Sequence, residues 1–193
     1  DSIKAKKILF DKINKFKNFN DDYITYISFD WINIARKIGG PEIVKITRDK
    51  ILNWTLHYNK LYNYFSRPDL ASKRLLNLIY HFDFYGASAN DNDKIKINFI
   101  IYTHYIFLKK FINFHKKSSH QLIEIKKSIL LFEAFNKIET TKIINQIKKS
   151  LLEDISFTGI HFSMSPQKHS EYINNLVEIK SICLYFNLDT PDE

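Results

Sequence analysis

The sequence predicts an all-α fold of antiparallel helical hairpins, and three observations carry that prediction. Apolar residues recur at three- and four-residue intervals through most of the chain. The four Gly and four Pro among 193 residues are sparse punctuation, falling where helix ends would fall. No stretch alternates strictly between apolar and polar residues with turn signals at strand spacing, so no sheet is expected.

Residues 1–25 form a basic N-terminal segment or linker, and 26–193 form the helical domain. The first predicted helix runs from about Ser28 to Ile38 and is closed by Gly39-Gly40, since glycine tolerates the left-handed cap. Pro41 suits a first helical turn and opens the next helix, to about Tyr58. There Ile43, Ile46, Thr47, Ile51, Trp54 and Tyr58 gather into one stripe, with Lys45, Arg48 and Asp49 on the other side. After a turn at Ser66-Arg67-Pro68, the residues Leu70, Arg74, Leu75, Leu78, Ile79 and Phe82 repeat the pattern as far as Tyr85-Gly86.

The stretch from Ala87 to Asp93 reads as a loop whose last Asp caps a long helix from about Lys94 to Phe114. Ser118-Ser119 caps a helix through Leu122, Ile125, Ile129, Phe132 and Phe135, and Thr140-Thr141 starts another through Ile144, Ile147, Leu151 and Leu152. The last helix runs from about Pro166 to Phe186. Helices of this length joined by short turns build either a closed bundle or a curved array of hairpins. Broad aromatic stripes in the Lys94 and Pro166 helices favour helices with neighbours on two sides.

Composition excludes several classes. With 45% hydrophobic residues the chain can bury a core, and one Cys, Cys183, rules out a disulfide framework or a Cys-based zinc site. No apolar run is long enough to span a bilayer. The first residue is Asp1 and the only Met is Met164, so the chain reads as a piece of a longer polypeptide, compatible with cytoplasm or periplasm. The net charge is +8, but 30 Ile, 17 Asn and 25 Lys against 6 Ala and 4 Arg carry the drift of an AT-rich genome. Two segments concentrate the charge: Asp1 to Asn20 holds six Lys against two Asp, and Lys109 to Lys127 holds six Lys against one Glu. Such surfaces favour polyanions, and the absence of a helix-turn-helix or RNA-binding signature points away from nucleic acid.

No phosphate-binding glycine loop, GxSxG, HExxH or CxxC is present. The seven His form no i, i+3 or i+4 pair on one clear helix, so neither a metal nor a cofactor is expected. His57, His81, His104 and His115 read as partly buried polar residues. One segment, Asp154 to Tyr172, breaks the helical pattern. It is a loop ending in Ser165-Pro166, an N-cap and a first-turn proline, and it brings His161, Lys168, His169 and Tyr172 to one loop–helix junction.

Within it, TGIHFSMSPQKHSEYINNLVEIKS resembles the pattern DGGHxxRSPxYHxxxLxxLLxL of the heparinase II/III-like polysaccharide lyases, especially a bacterial branch with DGGHxSRxP. Upstream, SFDWINIARKIGG followed by DKILNWTLHYNK resembles that branch's FxWLRDLRxxG and its helix ending in DWI. RPDLASKRLLNLIYHFDF resembles WRPDxxxRRLIxWLxHxDF, with Arg67, Pro68, Asp69, Arg74, Leu75, His81 and Asp83 in phase. The blocks keep their order over about Ser28 to Phe186.

The resemblance implies an α/α toroid, a ring of helical hairpins normally followed by a β-sandwich domain, and a lyase cleaving acidic, uronate-containing polysaccharides by β-elimination. A base removes the C5 proton beside the uronate carboxylate, a second group neutralises that carboxylate, and the C4-linked sugar leaves. The family Tyr falls on Lys168 and its following His on His169, while an Asn-His pair falls on His120-Gln121, where His120 would act as neutraliser. Tyr172, one turn beyond Lys168, is the alternative phenol. His161 and Gln121 would line the groove, and Arg74 would position substrate or hold the fold. Because a lysine stands at the tyrosine position, a catalytically inactive scaffold that binds a polyanion or a protein partner is the alternative.

Overall fold

The computed structural model describes residues 21–56, 67–114 and 120–190, whose regular elements are all helices, with no strand among them. In chain order the helices are α1 (Asp21–Ile27), α2 (Trp31–Ile38), α3 (Pro41–Leu56), α4 (Pro68–Tyr80), α5 (Phe82–Tyr85), α6 (Asp91–Phe114), α7 (His120–Phe135), α8 (Thr141–Asp154) and α9 (Pro166–Phe186). The chain divides into two compact units between His104 and Tyr105, a boundary that falls within α6. Residues 1–20 of the N-terminal basic segment, the stretch 57–66 with His57, and His115 with Ser118-Ser119 lie outside the described residues, while 21–25 belong to α1, which runs across the expected boundary at 25/26.

In the first unit the expected helix from Ser28 begins three residues later, at Trp31. Phe29 takes a left-handed conformation (φ 67°), which ends α1 and drops its ring into the core edge-on to Trp31 and Trp54. Asn77 of α4 holds that corner, donating to the Ser28 carbonyl at 3.0 Å and to Asp30 Oδ1 at 2.7 Å. Gly39 and Gly40 both have positive φ and separate α2 from α3, as the sequence predicts.

Where one helical pattern runs from Leu70 to Tyr85, the structure has two helices, because His81 leaves helical geometry (φ −111°, ψ 12°). The turn is pinned from outside: Arg36 of α2 makes a two-pronged pair with Asp83 at 2.8 Å, and Arg48 of α3 donates to the Tyr85 carbonyl at 2.9 Å. The cap of α6 is Asn90 rather than Asp93. Asp93 N–H donates to Asn90 Oδ1 at 2.8 Å, and Asn90 Nδ2 donates back to Asp93 Oδ2 at 3.0 Å, a reciprocal box.

In the second unit α7 packs against both α8 and α9. From Leu122 to Ala134 it is buried on nearly every side, Glu124 being only partly covered. Neighbours on two sides are thus a property of α7, whereas α6 leaves Ile95, Phe99 and Tyr102 exposed and α9 leaves Val177 and Leu184 exposed. Left-handed Lys137 and Asn187 terminate α7 and α9; beyond them Ile138 N–H reaches Glu133 O and Leu188 N–H reaches Cys183 O, both at 2.8 Å.

Gly39 combines φ 67° with ψ −172°, a region that only glycine occupies without strain, and a methyl group there would meet nothing closer than 3.8 Å. Gly39→Ala should therefore lower unfolding free energy through the backbone alone, by about 1–3 kcal/mol in urea titration. Lys45→Ala, on the exposed side of α3, should stay within about 0.5 kcal/mol of the parent.

Candidate functional site

The junction between α8 and α9 is the place where the chain leaves helical geometry and gathers titratable groups. After Asp154 closes α8, Ile155 and His161 form an isolated antiparallel bridge around a turn with Gly159 at φ 80°. The turn is tied by Ser156 N–H to Ile160 O, Gly159 N–H to Ser156 O, and Phe162 N–H to Asp154 O, each at 2.9 Å. Ser165 then accepts from Lys168 N–H at 3.4 Å as N-cap, with Pro166 in the first turn, as its sequence predicts.

This scaffold orients two imidazoles. Ser163 N–H donates to His161 Nδ1 at 3.1 Å, so a neutral His161 carries its proton on Nε2. The His161 N–H itself donates to His169 Nδ1 at 3.3 Å, which gives His169 the same tautomer. Both rings therefore carry the proton on Nε2, but that of His161 is buried, and only the half-buried His169 can offer its N–H to a ligand. Tyr172, in the second turn of α9 and 1% exposed, lies with its ring 5.1 Å from that of His161. Its hydroxyl is buried and meets no hydrogen-bond partner of ordinary geometry among the described residues. Burial, and secondarily the charge of Asp154 beside it, hold this phenol well above the usual tyrosine range, so it stays protonated.

Behind these groups lies a cation. Lys126 of α7 is buried and donates to the Gln146 carbonyl at 2.9 Å and to Ser150 Oγ on α8. Burial lowers its pKa, and the nearby Asp154 carboxylate works in the opposite direction.

The predicted site residues thus separate. His161, His169 and Tyr172 come together at the junction. Lys168 is exposed in the first turn of α9, without the burial that a lysine base requires. His120 and Gln121 form the first residues of α7, but their side chains lie outside the described residues. Sequence reasoning did not place Lys126, Ser150 or Asp154 in the site. A lysine inside the apolar run IEIKKSILLF, and an acid at the end of α8, were the available signals.

Arg74 belongs to the core of the first unit. It is 0% exposed, donates from Nε to His104 Nε2 at 2.9 Å and from Nη1 to the Ile27 carbonyl at 3.0 Å, and lies over the Trp54 ring. Of the two roles read for it, this setting fits the structural one. His104 in turn donates from Nδ1 to Ile100 O at 2.8 Å, and it stacks on Trp54 at 5.8 Å. Total burial, aided by the Arg74 charge, depresses its pKa from 6.5 to about 3.

Among the described residues no group of three or more His, Cys, Asp or Glu is placed to hold a metal ion, and no helix is long and apolar enough to cross a membrane. Known family models, curated proteins and solved structures give no match to this chain.

The depressed pKa of His104 has a signed consequence. Folded protein binds fewer protons than unfolded protein between pH 6.5 and about 3, so this stability is complete above pH 6.5 and is lost as pH falls through that window. Urea unfolding should show an acid limb of up to about 1.4 kcal/mol per pH unit from this group, and His104→Gln should flatten the limb. An unchanged limb in the variant would remove His104 as its source.

Proposed function

We propose that this chain is the α/α toroid portion of a heparinase II/III-like protein, and that it binds acidic, uronate-containing polysaccharide at the α8–α9 junction. The observation that carries the reading is the half-buried His169 imidazole, set as an Nε2–H donor at a capped loop–helix turn and backed by the buried His161 and Tyr172. In β-elimination the C5–H bond breaks toward a base, a C4=C5 double bond forms, and the C4–O bond releases the leaving sugar, whose oxygen takes a proton. The His169 N–H is suited to neutralising the uronate carboxylate, which makes the C5 proton acidic. The Tyr172 phenol, buried and kept protonated, supports the His161 ring from behind and does not itself reach the substrate. His120, by the resemblance, would add a further donor from the start of α7.

The non-catalytic alternative is favoured by a specific pair of facts: Lys168 is exposed where the family has its tyrosine, and Tyr172 is held protonated. Such a chain would retain the anion donors and bind without cleaving.

Incubation of the full chain with heparin, alginate and a neutral glucan, following both binding and the ultraviolet absorbance of an unsaturated uronate, separates the readings. Binding to the acidic polymers alone, weakening as salt rises, supports the proposal. Absorbance growth then assigns the lyase, and binding with no growth assigns the scaffold. Equal affinity for the neutral glucan would overturn both. His169→Ala should weaken acidic-polymer binding about ten-fold or more, the value of one hydrogen bond to a charged group.

A further inference from the structure

A second candidate site lies in the second unit between the C-terminal half of α6, α7 and α8, and meets the surroundings of the junction at Gln146, whose carbonyl accepts from Lys126. It is a cleft of about 280 Å³, at the small end of ligand pockets. Its apolar lining is aliphatic, from Ile112, Ile129, Ile138 and Ile143. Its charged lining is balanced, Lys109 and Lys142 against Glu133 and Glu139.

Glu133 is the unusual member. It is 3% exposed, and its Oε1 is fully engaged: Tyr105 donates to it at 2.8 Å and Lys109 at 2.9 Å, while Lys109 also bonds the Tyr105 hydroxyl at 2.5 Å. Tyr105 is fixed in turn by stacking on Phe132 at 4.1 Å. To Glu133 Oε2 no described residue donates, and this oxygen belongs to a residue that lines the cleft. A buried carboxylate with one oxygen pinned and the other open recognises a donor, most strongly a charged one. The two lysines supply the complement for an anion, and Lys142 is exposed at the rim.

We propose that this cleft binds a small aliphatic zwitterion of the α-amino-acid type. Its ammonium donates to Glu133 Oε2, its carboxylate faces Lys142 and Lys109, and its hydrocarbon side chain lies on the isoleucines. The balanced charge of the lining excludes a strongly anionic or cationic ligand, and the isoleucines disfavour one without a hydrocarbon body.

Titration calorimetry on the full chain tests this with L-leucine and L-isoleucine beside three truncations: N-acetyl-leucine, which lacks the ammonium; leucinamide, which lacks the carboxylate; and glycine, which lacks the aliphatic body. Leucine or isoleucine should bind, with each truncated compound at least about ten-fold weaker. Glu133→Gln should cost about ten-fold or more, since it removes the charge facing the ammonium. If that variant does not fold, Lys142→Glu decides, because an exposed rim residue leaves the core intact. It should weaken leucine binding several-fold. No heat with leucine or isoleucine at millimolar concentration, equal binding of N-acetyl-leucine, or unchanged affinity in Lys142→Glu would each overturn the proposal.

Discussion

A helix with no polar face has to be covered on every side, and α7 is such a helix. Its three buried charges then determine what covers it, since each must find a partner. Lys126 reaches the Gln146 carbonyl and Ser150 on α8. Lys127 reaches Glu178 on α9 at 2.6 Å. Glu133 reaches Tyr105 and Lys109 on α6. One charge thus addresses each neighbour. Apolar burial supplies most of the driving force, but it is non-directional; the charged ends select one arrangement among those the isoleucines and leucines would accept. This makes the register of α8 and α9 against α7 a matter of ion and hydrogen-bond partners, and the α8–α9 junction inherits its position from them.

The first unit solves a related problem differently. Arg74 is as buried as any leucine beside it, and a buried guanidinium needs acceptors that do not themselves demand solvation. A backbone carbonyl at Ile27 and the neutral Nε2 of His104 meet that need, and the Trp54 face lies against the cation. The arrangement works only while His104 is neutral, because its protonation would set two cations side by side and remove the acceptor. The same contact that satisfies Arg74 therefore makes the core acid-sensitive.

These two solutions explain how far the sequence could be read. Helices were legible because apolar spacing is a local signal: the stretch from Pro166 to Phe186, its Ser165 cap and the Gly39-Gly40 break all follow from adjacent residues. Helix ends set by distant partners were not. Nothing near Phe29 announces a left-handed residue, since its cause is the hole between Trp31 and Trp54 and the grip of Asn77 from α4. At Asn90 and Asp93 the local pattern held two possible caps, and the reciprocal hydrogen bonds chose the earlier. In the candidate site, His161, His169 and Tyr172 were readable because twelve residues of loop and helix contain all three. Lys126 and Ser150 lie on other helices, and only the packing of α7 against α8 brings them near Asp154.

The two candidate sites draw on different turns of one helix. Lys126 stands behind the junction and Glu133 walls the cleft, seven residues apart and so separated by ~10 Å along α7. Their chemistry is of opposite character. The junction offers the N–H of half-buried His169 and suits an acceptor-rich polyanion, whereas the cleft presents an open carboxylate oxygen and suits a cationic donor. A uronate chain would be repelled by Glu133, and an ammonium would meet a donor at His169. Discrimination between the sites thus follows from which atoms α7 and its neighbours leave unpaired, and occupancy of one by its own ligand gives no reason to expect that ligand at the other.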